Sequence, residues 1–228
     1  TGLDPVDKVE IPLAMTMAEK VVGLISTIYP QMMDSGMAER ILELEEKYGK
    51  LDPTVVFKIA EEVSEQKFCK FENLLEAIDA GIRVGFGYIT LGVVSSPLEG
   101  YTGIKVGKTR DGKDYLKAYF SGPIRSAGTT ASCIVLMLID FLREKFGFAK
   151  YDPTEDEIKR VYAELEHFHD RITNLQYMPT EEETLFLARN LPIQVAGEAS
   201  EKIEVPNYKN LDRVDTDYLR SGFCLIMG

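Results

Sequence analysis

The first part of the chain has the apolar spacing of amphipathic helices. Residues 1–15 lack such a period and are predicted to form an extended lead. Thr16 and Glu19 then form a capping box at the start of a short helix. Two further helices are predicted over residues 38–48 and from Asp52 onward, where a proline follows the cap.

Another helix is predicted from Asn73, because apolar residues recur there every four positions. We expect it to loosen at Gly85 and Gly87 and to stop before Pro97, since a residue that precedes proline avoids helical geometry. The regular structure of residues 1–96, after the extended lead, is therefore predicted to be all helical.

The period then changes from helical to alternating. Apolar residues alternate with Lys105, and again with Lys117 and two tyrosines, on either side of a turn at residues 110–113. This pattern predicts a β-hairpin with one basic, aromatic face that ends at Phe120.

The segment after the hairpin predicts mixed structure around one central helix. Residues 129–146 are apolar nearly all round and are predicted to be a buried helix that stops at Gly147. Pro153 and Pro179 each open a helix whose first turn is acidic. Further strands are predicted at residues 193–195, 203–205 and 219–227.

The predicted fold class is α+β, in two domains. Residues 1–98 form an N-terminal helical region, and residues 99–228 form a mixed α/β domain around the central buried helix. The chain begins without methionine and ends in an apolar, strand-like run, so we expect a piece of a longer protein that is truncated at its C-terminal end.

Composition narrows the class of protein. Hydrophobic residues make up 45% and charged residues 28% of the chain, as in ordinary globular proteins. The 3 cysteines are far apart, which disfavours a disulfide framework or structural zinc and predicts a reducing, cytoplasmic location. No stretch reaches the roughly 18 apolar residues of a membrane helix, so no membrane partner is expected.

Charge is distributed unevenly along the chain. The formal net charge is −11, which argues against a surface that wraps nucleic acid. Lys105 and Lys117 lie in a locally basic segment with interleaved tyrosines. This segment is the strongest candidate for a nucleic-acid-binding surface in the chain. The alternative is an ordinary solvated hairpin.

The most distinctive motif is the glycine-rich segment at residues 122–128. Gly122 and Gly128 allow backbone N–H groups to approach an anion, and the helix that follows adds partial positive charge. The guanidinium of Arg125 can donate two parallel hydrogen bonds to a phosphate, and Ser126 lies next to it in the sequence. The alternative is a tight connection whose arginine pairs with an acid, because the lysine pattern of a P-loop is missing.

Other chemical motifs are weak. The glycines at positions 85, 87 and 92 have the wrong spacing for dinucleotide binding and lie in a predicted helix. There is no Gly-x-Ser-x-Gly elbow and no plausible catalytic triad. We assign no catalytic residue to this segment.

Metal binding is equally weakly indicated. His167 and His169 point to different faces of a helix, so they cannot readily share a metal. The acids at residues 155–157 and 181–183 are better explained as helix caps than as Mg²⁺ ligands. We therefore assign no metal ligand and no cofactor to this segment.

Several ordered blocks resemble a known family. The run from Tyr119 to Ala131 is accompanied by YDPTEDEI, NLQY, GEA and RSG blocks further along, and upstream by VEIP, MAERI and GVVSSPLEG. Together they resemble the N-terminal region of the large subunit of archaeal family D DNA polymerase, also called DNA polymerase II, over nearly the whole chain. The turn departs from the family pattern, with Gly-Thr-Thr-Ala where Gly-Gly-Thr-Ala is usual, and the basic hairpin is variable in length and charge.

The resemblance implies a replicative, Mg²⁺-dependent DNA-directed DNA polymerase that acts on a DNA primer-template. It implies a heterodimer with a small exonuclease subunit, and catalytic aspartates that lie far downstream of this segment. The segment itself would be a helical and KH-like portion that packs against the remainder of the large subunit and supports assembly, with the 122–128 turn as a backbone clamp. The alternative is a protein-interaction module with no nucleic-acid role.

Overall fold

A computed structural model describes residues 16–90 and 96–227 of the chain. The first range contains helices α1 (Met17–Ile25), α2 (Met37–Tyr48), α3 (Pro53–Ser64) and α4 (Leu74–Thr90), with a 3-10 helix (Pro30–Met32) after α1. The Thr16 hydroxyl accepts the N–H of Glu19, and Asp52 accepts the N–H of Thr54, so both predicted caps are confirmed. The predicted lead at residues 1–15 lies outside the described residues.

Helix α4 runs unbroken through Gly85 and Gly87, so the predicted loosening is wrong. Glycine is needed in this helix for packing: a Cβ on Gly81 would lie 2.1 Å from the Ser64 Oγ and 2.5 Å from the Ala60 carbonyl oxygen. These distances are far inside van der Waals contact. Gly81 therefore lets α4 approach α3 closely.

The second range is mixed α+β, as predicted. Its elements in order are α5 (Ser96–Gly100), β1 (Tyr101–Lys108), β2 (Asp114–Phe120), a 3-10 helix (Gly122–Ala127), α6 (Gly128–Lys145), α7 (Glu155–Arg171), α8 (Glu181–Asn190), β3 (Gln194–Ala196), β4 (Ala199–Glu204), β5 (Tyr218–Arg220) and α9 (Gly222–Met227). β1 and β2 form the predicted antiparallel hairpin, and β3 adds to β2 in parallel. β4 and β5 form a separate antiparallel pair.

The strand predicted over residues 219–227 is wrong beyond Arg220. At Gly222 the main chain crosses the end of β3 so closely that a Cβ would lie 1.9 Å from the carbonyl oxygen of Ala196. After this crossing the chain turns into α9, which buries Phe223 and Leu225. A short apolar run is compatible with a strand or with a helix, so its pattern alone does not decide between them. Here the run forms a helix directly after the close crossing.

Helix α6 is central but not buried all round. Leu138 and Leu142 are fully buried, whereas Met137 is 60% exposed and Cys133 is also exposed. The prediction of a wholly buried helix is therefore wrong for one face, because partners cover only the other. One hydrophobic cluster includes residues from α1 to α9, while the division into domains at residue 98 and the KH-like topology stay predictions.

Candidate nucleic-acid interface

The 122–128 turn forms the link between β2 and α6. Gly128 has φ of +72°, a left-handed conformation that favours glycine, and its N–H donates to the carbonyl of Arg125. Gly122 is exposed, and the Ser126 hydroxyl donates to the Pro123 carbonyl at 2.7 Å. The turn is thus a 3-10 helix with internal hydrogen bonds rather than an open loop.

Two features of this turn suit an anion. No side chain caps the N terminus of α6, so its first N–H groups keep their partial positive charge. The Arg125 side chain is half-buried, and within the described ranges no hydrogen bond or ion pair engages its guanidinium. The structure therefore places Gly122, Arg125, Ser126 and Gly128 together, with Arg125 available.

The two hairpin lysines have different environments. Lys105 is exposed, with its Nζ 4.3 Å from the ring centroid of Tyr119. Lys117 is only 7% exposed, and its Nζ lies 2.8 Å from Asp215 Oδ1 and 3.1 Å from the Arg213 carbonyl oxygen. The basic, aromatic face of the hairpin is therefore covered along β2, because the segment around Asp215 engages Lys117 and Tyr119.

The remaining hairpin cations are neutralised locally. The Nζ of Lys108 lies 2.6 Å from Asp114, the Nε of Arg110 lies 2.9 Å from Asp152, and the Nζ of Lys113 lies 2.6 Å from Asp111. Hydrogen bonds from Lys113 and Thr109 lower the pKa of Asp111 to about 2. Exposed pairs of this kind add little to stability because water and salt screen them, but they balance the charge that the hairpin presents.

A first ionic cluster fixes the segment that follows β4. Arg213 donates to Asp152 and Glu157, and its Nε lies 2.9 Å from Glu157 Oε1. Tyr119 and Lys117 both donate to Asp215, and although burial acts to raise the pKa of Asp215, these bonds hold it below its ordinary 3.8. The cluster ties this segment to the hairpin sheet and to the start of α7.

A second ionic cluster is fully internal. Glu164 is 1% exposed and accepts two hydrogen bonds of 2.9 Å from the Arg220 guanidinium and one of 3.1 Å from Arg160. Arg160 is completely buried and also donates to the carbonyls of Thr216 and Tyr218. The spacing of Arg160 and Glu164 on one helix face is the sequence signal for part of this cluster.

The acidic clusters and the histidines, to which we assign no metal, include residues with structural roles. The acids that open α7 and α8 include Glu157 and Glu183, each of which closes a capping box. His169 accepts the N–H of Leu175 through Nδ1 at 3.1 Å. Within residues 16–90 and 96–227, no group of three or more His, Cys, Asp or Glu could hold a metal ion, and the cysteines are free. No helix in these ranges is long and apolar enough to cross a membrane.

A family model described as "DNA polymerase II large subunit DP2, N-terminal" matches residues 1–228. The chain belongs to this family. The resemblance inferred from the sequence blocks is therefore confirmed.

Curated relatives agree with the family match. The DNA polymerase II large subunit of Nanoarchaeum equitans is 45% identical over 226 residues, and that of Archaeoglobus fulgidus is 40% identical over 226 residues; each match covers 99% of this chain. The large subunit of Thermoplasma acidophilum is 38% identical over 227 residues, again 99% of this chain. The chain spans 18% to 20% of the length of these relatives, so it corresponds to an N-terminal region of a DNA polymerase II large subunit.

Proposed function

We propose that this chain is a structural and assembly region of the large subunit of a replicative, DNA-directed DNA polymerase. The observation that carries the proposal is the family match over every residue of the chain, together with relatives that are DNA polymerase II large subunits. The polymerase reaction needs Mg²⁺ and paired carboxylates that converge from separate elements. Many acids of the described residues are used in caps and ion pairs, and no group of three or more His, Cys, Asp or Glu among those residues could hold a metal ion. We therefore place the catalytic aspartates and their Mg²⁺ elsewhere in the full-length subunit.

The proposed partners are the remainder of the large subunit, the small exonuclease subunit and the DNA primer-template, in the cytoplasm. Exposed apolar side chains such as Met137, at 60%, support contacts with other protein surfaces. The internal ionic clusters support a rigid module, because they tie α7 and β2 to the segment before β5. We expect this chain by itself to have no polymerase activity.

A contribution to DNA backbone binding centres on the 122–128 turn. The support for it is the guanidinium of Arg125, which no other described residue engages, beside the start of α6, which no side chain of the described residues caps. Lys105 adds an exposed cation on the hairpin, whereas Lys117 is engaged by Asp215 and is left out of the proposal.

Fluorescence anisotropy with labelled primer-template DNA at two salt concentrations tests the DNA contact. We expect Arg125→Ala to weaken binding and to lower the salt slope by about one, because one phosphate contact is lost. Arg171→Ala is the matched control, since Arg171 is exposed at the far end of α7. An unchanged affinity and slope in Arg125→Ala would contradict a phosphate contact at the turn.

A protein-interaction module with no nucleic-acid role is the second candidate. The net charge of −11 and the paired cations of the hairpin favour it. If neither the chain nor its variants bind DNA, while the chain still retains the small subunit in a pull-down, this second function is supported. If the chain binds neither DNA nor the small subunit, both the proposed assembly role and the proposed DNA contact are contradicted.

A further inference from the structure

An apolar groove lies between α8 and the end of α9. It has a volume of about 430 Å³ and is lined mainly by apolar side chains, namely Tyr177, Pro179, Phe186, Leu187 and Met227. Phe186 is 62% exposed and Tyr177 is 57% exposed. Two large aromatic side chains that line one groove and remain in water are typical of an interaction site rather than of scattered surface hydrophobes.

The rim of this Phe186 groove is acidic. The Glu183 carboxylate is engaged by Thr180 in the capping box and by the hydroxyl of Tyr177. Glu182 is exposed, and no ion pair within the described ranges engages it. An apolar floor beside an unpaired carboxylate fits a segment whose apolar side chains are flanked by lysine or arginine.

The position of Met227 indicates where such a segment comes from. Met227 is a wall of the groove and the last residue of α9. The relatives are about five times as long as this chain, which covers 18% of the Nanoarchaeum subunit and 20% of the Thermoplasma subunit. In a subunit of that length, the polypeptide after residue 228 starts beside the groove, which raises its effective concentration there.

We propose that the Phe186 groove is the docking site for the following part of the same large subunit, through an apolar segment flanked by basic residues. This inference rests on the proposed place of the chain within a longer large subunit, but it is independent of DNA binding and of the small subunit. A failure of the anisotropy or pull-down experiments would leave it standing.

Hydroxyl-radical footprinting of the wild-type protein tests the proposal directly. Oxidation of Tyr177 and Phe186 is measured in this chain alone and in the full-length large subunit, with Met33, 54% exposed near α2, as the reference. We expect oxidation of both aromatics to fall by about fivefold in the full-length subunit relative to Met33, since the core of an interface excludes water.

A variant pair then tests the groove itself. Phe186→Ser in the full-length subunit should restore oxidation of Tyr177, whereas Tyr218→Ser, at an exposed aromatic outside the groove, should not. The melting temperature of the 228-residue chain should be unchanged by Phe186→Ser, because that side chain is mostly in solvent.

Three outcomes would overturn the proposal. Equal oxidation in the chain and in the full-length subunit would show that the groove stays open. Protection that requires the small subunit would assign the groove to that subunit. Protection of the isolated chain that increases with its concentration would assign the groove to a second copy of this chain.

Discussion

Replacement of Glu164 by glutamine removes the charge that holds the internal ionic cluster together. The Glu164 carboxylate accepts from Arg160 and Arg220, and all three side chains are buried. Within the described residues, the Arg220 Nη1 is already buried without a partner. Burial acts to lower the pKa of Arg220, but Glu164 keeps that pKa above its ordinary value, so the arginine remains charged.

The expected loss is large because glutamine leaves two buried guanidinium groups without a counter-charge. Removal of one partner from a buried ion pair destabilises a protein by about 3–5 kcal/mol. In a chain of this size, each kcal/mol lowers the melting temperature by about 2–4 °C. We therefore expect Glu164→Gln to melt roughly 6–20 °C below wild type.

Urea denaturation followed by circular dichroism measures this loss, with a calorimetric melt as a second readout. Glu166→Gln is the matched control, because Glu166 is exposed on the same helix, and we expect a change within about 0.5 kcal/mol. The double variant Glu164→Gln with Arg220→Met should be less destabilised than the sum of the single variants, since it removes one uncompensated charge. A loss below about 1 kcal/mol in Glu164→Gln, the value of a surface pair, would refute the cluster as a buried one.

Two further predictions concern helix packing and acid stability. Gly81→Ala should destabilise the chain by about 1–3 kcal/mol, because the new Cβ meets the Ser64 side chain. The helical control Gly23→Ala should be neutral or slightly stabilising, because no atom of the described residues lies within 4 Å of the new Cβ. The urea midpoints of the two variants test this difference. Burial acts to raise the pKa of Asp152, but hydrogen bonds from arginines, including Arg213, hold it below 3.8. The stabilisation that comes from a folded pKa below the unfolded one is fully present above about pH 4 and is lost as the pH falls through the folded pKa. The free energies of unfolding of Asp152→Asn and wild type should therefore differ more at about pH 5 than at about pH 2. An equal difference at both pH values would contradict this assignment.

The local features of the fold could be predicted because neighbouring residues determine them. The capping boxes at Thr16, Thr154 and Thr180 depend on a spacing of three residues, and each is present. The hairpin follows from its alternating pattern and from Gly112 in the turn, which has φ of +82°. The grouping of Gly122, Arg125, Ser126 and Gly128 was equally predictable, since these residues are nearly consecutive.

The tertiary structure alone decided which charged side chains are free. Lys105 and Lys117 look equivalent in sequence, yet Lys117 is buried because Asp215, 98 residues away, reaches it. Arg213 likewise meets Glu157 across 56 residues. Helical and strand periods record which face of an element is apolar, but not which distant segment covers it. The sequence by itself thus determined the family, the fold class and the local elements, whereas packing between remote segments decided the ionic clusters, the exposed face of α6 and the Phe186 groove.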